Sequence, residues 1–197
     1  MRTRLIFLIV AVAFSFACKS GGVSLVPPLT ASDETPEAGK IVAEANQELT
    51  QIKVLYQQNE SKREELRAAM EKNDAALVKR IANEVVDLIN SGTSHGQTAI
   101  DKIQTAREMR INDDYADYLR LKQESLRLEL EAFENYRQAA RTLRDNYDPK
   151  NTAQRDKVKA EFTKFTDNYR TTMETARSRS REANEVAKAA LNKQATN

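Results

Sequence analysis

From residue 40 to residue 197 only Gly92, Gly96 and Pro149 interrupt the chain, and this scarcity of chain-turning residues constrains the fold more than any other feature. Small sheet proteins need turn residues about every 8–12 positions. A chain that lacks them has to be built from long helices. The composition permits a packed core, with 30% charged residues, 40% hydrophobic residues, 6 Tyr and 6 Phe, so the chain is set apart from disordered polyelectrolytes. Its 197 residues suit one domain with a tail. The expected class is all-α.

Apolar residues recur at the 3-4 spacing of one helix face in four successive segments. In the first, Thr35-Pro36-Glu37 is a helix start with Thr35 as N-cap, and the stripe runs Val42, Ala45, Leu49, Ile52, Tyr56, Asn59, Arg63, Leu66, Met70. Asn73-Asp74 then ends one helix and caps the next, whose stripe is Leu77, Ile81, Val85, Leu88, Ile89, Ala99, Ile103, Ala106, to about Arg110. Asn112-Asp113-Asp114 opens the third, with Tyr115, Leu119, Lys122, Leu126, Glu129, Phe133, Tyr136, Ala140, Leu143 and Tyr147 on one face, ending at Asp148-Pro149. Asn151 with Gln154 has the form of a capping box, and the fourth stripe passes from Val158, Phe162, Phe165, Tyr169 and Met173 to Ala176, Ser180, Ala183, Ala187 and Ala190.

Segments of about 35–42 residues would each be about 52–63 Å long. With short links between them they predict an elongated, antiparallel, up-down-up-down bundle of about four long amphipathic helices with coiled-coil character, over 36–197. A three-helix body with one segment docked apart, or a seam completed by a second chain, stays open. The polar seam residues Asn59, Arg63, Lys122 and Glu129 bear on that choice. They fit either self-association or a place where the bundle opens to water, and the second is favoured.

The amino terminus carries a different signal. Arg2 and Arg4 precede an apolar run from Leu5 to Phe14 that ends in small residues around Ala17, the three-part plan of an export signal over 1–17. The run is too short for a permanent span, which takes about 20 residues. The only cysteine, Cys18, follows at once. Ala17-Cys18 at this position resembles the precursors of bacterial lipoproteins, although Ser15 stands where Leu is usual and Phe16 where a smaller residue is usual. The resemblance implies that Cys18 is lipidated, carrying diacylglycerol and palmitate-like chains, and becomes the new amino terminus. Since Lys19 is not the Asp associated with inner-membrane retention, an outer membrane, where there is one, is the expected destination; otherwise it is the cell membrane. The rival reading is an ordinary cleavage after Ala17, giving a soluble exported protein. A lone thiol in an oxidising compartment disfavours that rival. Residues 18–35, with Gly21, Gly22, Pro27 and Pro28, have no helical period and read as the lipidated cysteine and a flexible tether.

The formal charge of +2 traces to Arg2 and Arg4; without them 29 basic residues face 29 acidic ones. A neutral mature chain has no general field to gather it on nucleic acid, so no nucleic-acid partner is expected. The only histidine, His95, lies in the small polar run from Ser91 to Gly96. Read functionally, Gly92, His95 and Gly96 mark an unwound stretch lining a ligand cleft. Read structurally, the glycines permit a close helix crossing, which is favoured because no second histidine exists. Di-iron, haem, zinc, serine-hydrolase and phosphate-loop templates all lack their residues, so no catalytic residue, metal or cofactor is assigned and an enzyme is not expected. The basic run Arg177 to Arg181 reads as a solvated helix face. The function expected is a lipid-anchored envelope bundle with a structural, spacer or protein-binding role, partnered by the membrane through Cys18 and by an envelope protein or itself. The alternative is a ligand-binding or sensory helical module.

Overall fold

The computed structural model describes residues 33–195, where the chain forms four helices: α1 (Thr35–Glu71), α2 (Ala75–Arg107), α3 (Asp113–Asn146) and α4 (Thr152–Ala195). At 37, 33, 34 and 44 residues they are about 50–66 Å long. Among the described residues there is no strand, and the protein is an all-α helical bundle.

Three of the four starts are capped as the sequence predicts. Asp74 Oδ1 accepts from Leu77 N at 3.0 Å, Asn112 Oδ1 from Tyr115 N at 2.9 Å, and Asn151 Oδ1 from Gln154 N at 3.1 Å. Asn73 supplies the left-handed residue that turns the chain, with φ 54°. The start of α1 differs, because Glu34 and not Thr35 takes the N-cap position. The Thr35 hydroxyl instead donates to Asp33 Oδ1 at 2.6 Å and accepts from Asn112 N at 3.2 Å, fastening α1 to the start of α3. The end of α2 also falls earlier than the expected Arg110. Both backbone groups of Arg110 are taken by Glu34, the carbonyl by Glu34 N and the N–H by Glu34 Oε2, each at 2.8 Å, so they cannot continue a helix. Gln154 does not close a capping box; its Nε2 reaches the Asn146 carbonyl across the α3–α4 link at 3.4 Å.

These links set the direction of the helices. One end, here the base, gathers the start of α1, the α2–α3 link and the α4 terminus, where Lys193 Nζ pairs with Asp114 at 2.9 Å. At the other end the Tyr147 hydroxyl donates to the Met70 carbonyl at 3.1 Å, pinning the end of α3 to the end of α1. The helices therefore run antiparallel in sequence order. α1 packs on α2, α2 on α3 and α3 on α4, and there is no comparable α1–α4 interface.

The core follows from this order. Ile81, Val85, Ile103, Leu119, Tyr136 and Leu143 are all at 1% exposure or less, and burying each aliphatic side chain contributes about 1.5–3 kcal/mol. Because α2 and α3 each face two neighbours, they bury more than one stripe. Val78, Ala82, Val86 and Ile100 are buried on α2 beside the expected face, and Leu121, Gln123, Ser125, Ala132 and Ala139 on α3. Gln123 and Ser125 are satisfied there. Arg107 donates to the Gln123 side-chain oxygen, Gln123 Nε2 donates to Gln104 Oε1 at 3.0 Å, and the Ser125 hydroxyl donates to the Ala176 carbonyl at 2.9 Å.

Candidate functional site

The signal peptide assigned to 1–17 and the lipid-attachment residue Cys18 lie outside the described residues. The other candidate group, Gly92, His95 and Gly96, sits within α2, which continues through it without a break. The side-chain positions are divided between two neighbours, Gly96 facing α3 and both Gly92 and His95 meeting α1. Gly96 is buried against α3, and a Cβ built there would stand 2.4 Å from Leu130 Cδ2. Gly92 faces α1, where a Cβ would meet Leu55 Cδ1 at 3.9 Å. His95 meets α1 further along, pairing through Nδ1 with Glu48 at 2.6 Å, beside Lys102 paired with Glu44, also at 2.6 Å. Gly96 thus allows the close approach of α2 to α3, whereas a Cβ at Gly92 would make only an ordinary contact with α1, and His95 belongs to a row of α1–α2 polar links. The three residues do not converge on one cleft.

Two recesses lie next to them. A shallow groove of about 340 Å³ runs along α2 and α3, walled by Gln97, Asp101, Gln104 and Arg127 over Ile100 and Leu130. A much smaller gap of about 10 Å³ lies inside the α1–α2–α3 junction, bounded by Leu55, Tyr56, Asn59, Leu88, Gly92 and Phe133, among others. Asn59 is 3% exposed, and its Oδ1 is buried without a hydrogen-bond partner.

The polar seam residues do not form one opening to water. Asn59 is buried, which corrects that expectation for this residue: the apolar neighbours of α2 and α3 close over it. One turn on, the Arg63 guanidinium lies 5.2 Å from the Tyr136 ring centre and 5.4 Å from that of Tyr169, and Nη1 pairs with Glu60 at 2.6 Å. This cation between two rings joins α1, α3 and α4, an arrangement worth about 0.5–2 kcal/mol per ring contact. Burial pushes the Tyr136 and Tyr169 hydroxyls up, so both remain protonated. Lower on α3, Lys122 Nζ lies 5.6 Å from the Tyr118 ring centre. Glu129 is half-buried, and burial pushes its carboxyl up to about 7 against the pull of Arg177 and Lys122. Sequence spacing placed Arg63 and Glu129 on the seam, but their partners on other helices follow only from the vertical alignment of those helices.

Among the described residues no group of three or more His, Cys, Asp or Glu side chains is placed to hold a metal ion. No described helix is long and apolar enough to cross a membrane. No protein-family model, curated protein or solved structure matches this chain.

Proposed function

We propose that the protein is a lipid-anchored component of a bacterial cell envelope, in which residues 36–197 form a rigid helical body held to the membrane through Cys18 and the tether of 18–35. The observation that carries this reading is the position of the only cysteine, directly after an export signal that ends in Ala17. Two or more acyl chains exceed the two signals that stable attachment requires, at about 0.8 kcal/mol per buried CH₂. The role assigned to the body is structural, as a spacer or a surface for another envelope protein or a second copy. Long helices joined by short, capped links and cross-tied at both ends suit that role, since they keep shape under lateral load and place their polar faces outward.

Expressed in a bacterium with lipoprotein-processing enzymes, the protein takes up labelled palmitate and fractionates with membranes, and Cys18→Ser abolishes both. Unlabelled wild-type protein recovered in the soluble exported fraction would favour ordinary cleavage after Ala17 and overturn the anchor. Crosslinking in the native envelope, followed by mass spectrometry, identifies the neighbour of the helical body.

A further inference from the structure

We infer that the gap beside Gly92 is an internal hydration site that binds one water molecule against Asn59 Oδ1. Its volume of about 10 Å³ is the least that admits one water and is too small for any metabolite. An apolar gap of that size stays dry, but here Asn59 sets a polar side chain into an otherwise mostly apolar lining. Asn59 is nine-tenths buried and more, lines the gap, and has a carbonyl oxygen with no partner in the protein. Leaving such an acceptor unmade is costly, and an apolar residue of the same size would avoid the cost.

Further partners for the water come from the backbone. Leu55 and Leu88 also line the gap, and their carbonyls accept the helical bonds of Asn59 and Gly92 respectively. Each carbonyl has a second lone pair, and on α2 the missing Cβ of Gly92 leaves room to approach that of Leu88. A water there donates one proton to Asn59 Oδ1 and the other to a carbonyl. Gly92 on this account is kept small to hold a water, whereas Gly96 is kept small to admit Leu130.

The test compares Gly92→Ala with Gly39→Ala by denaturant unfolding of the full chain. A Cβ at Gly39 meets nothing within 4 Å, so Gly39→Ala reports helix propensity alone and lowers the unfolding constant by up to about fivefold. A Cβ at Gly92 fits without a clash but occupies the room of the water, so Gly92→Ala yields less than the Gly39→Ala gain, or a loss. In an Asn59→Ala background, with no carbonyl to strand, Gly92→Ala recovers the full gain. A gain at Gly92 equal to or larger than that at Gly39 in the wild-type background would show a dry gap that a methyl group simply fills, and would overturn the site. A second measurement needs no variant: a long-lived water gives a bound-sign cross-relaxation signal to the Asn59 side-chain amide protons. Absence of that signal also overturns it.

Discussion

Two glycines one helical turn apart have opposite duties, and the difference is measurable at the level of single atoms. At Gly96 a Cβ would overlap Leu130, whose Cδ2 lies 2.4 Å away with Cδ1 and Cγ at 3.2 Å, so the whole isobutyl group has to move. Overpacking of this kind costs about 1–3 kcal/mol, of which helix propensity returns about 1 kcal/mol. Gly96→Ala is therefore expected to destabilise by about 1 kcal/mol, and by less in a Leu130→Ala background, as a double-mutant cycle in urea will read. Glu129 gives a pH-dependent counterpart. Its folded pKa of about 7 lies above the ordinary 4.5, so folding disfavours the charged form, and stability falls as pH rises from about 4.5 through 7. With Lys122 and Arg177 facing it and water reaching part of the side chain, the loss is expected to be about 2 kcal/mol. Glu129→Gln should remove that loss, so the variant is the more stable of the two at pH 8 and the two converge near pH 4; equal slopes would place the carboxylate in water. Spacing made Gly92, His95, Gly96 and Glu129 visible in the sequence. It could not say which way each faces, because successive residues in a helix turn by about 100° and the neighbours met on each side belong to other elements.

At the scale of elements, the stripes read from the sequence are well placed: of the positions on α1 and α3, from Val42 to Met70 and from Tyr115 to Tyr147, none is exposed. Missing was the second face of α2 and α3. A single 3-4 stripe describes a helix with one partner, whereas the small residues Ala82, Ala132 and Ala139 are buried because a further helix lies against them. Alanine is as common on solvent faces of helices as at close crossings, so only the packing order reveals these. Helix ends were legible where a side chain caps its own helix, as at Asp74 and Asn112, and not where the deciding partner is distant, as with Glu34 and Arg110. The same distinction ranks the aromatic residues. Phe133 of α3 is 6% exposed within the core, while Phe165 of α4 is half-buried. Phe133→Ala should cost about 3–5 kcal/mol, and Phe165→Ala clearly less, by thermal or urea unfolding; the reverse order would mean that α4 packs through another face. Beyond Ala183 no described residue of α4 is buried, so hydrogen exchange there should run ahead of exchange between Val158 and Met173.

At the scale of the whole molecule, the base and the far end become distinguishable once the chain is tied down at one of them. α1 starts at the base, beside Glu34, Arg110 and Asn112. A flexible link of about 15 residues has an end-to-end distance of about 20 Å, against a bundle about 50 Å long. A body held by its base through a link shorter than itself keeps that base nearer the bilayer on average, even while it swings. Where Cys18 is acylated, as proposed above, and so blocked, a new cysteine can carry a donor dye: Glu108→Cys, exposed at the base, or Lys72→Cys, exposed at the far end. Energy transfer to acceptor lipids in vesicles should be stronger from position 108 than from position 72, and Cys18→Ser, with the dye still at the same site, should reduce both to the level of free protein. Equal transfer from the two positions would mean that the bundle lies along the membrane, which would turn its role from a spacer standing off the surface to a cover lying on it.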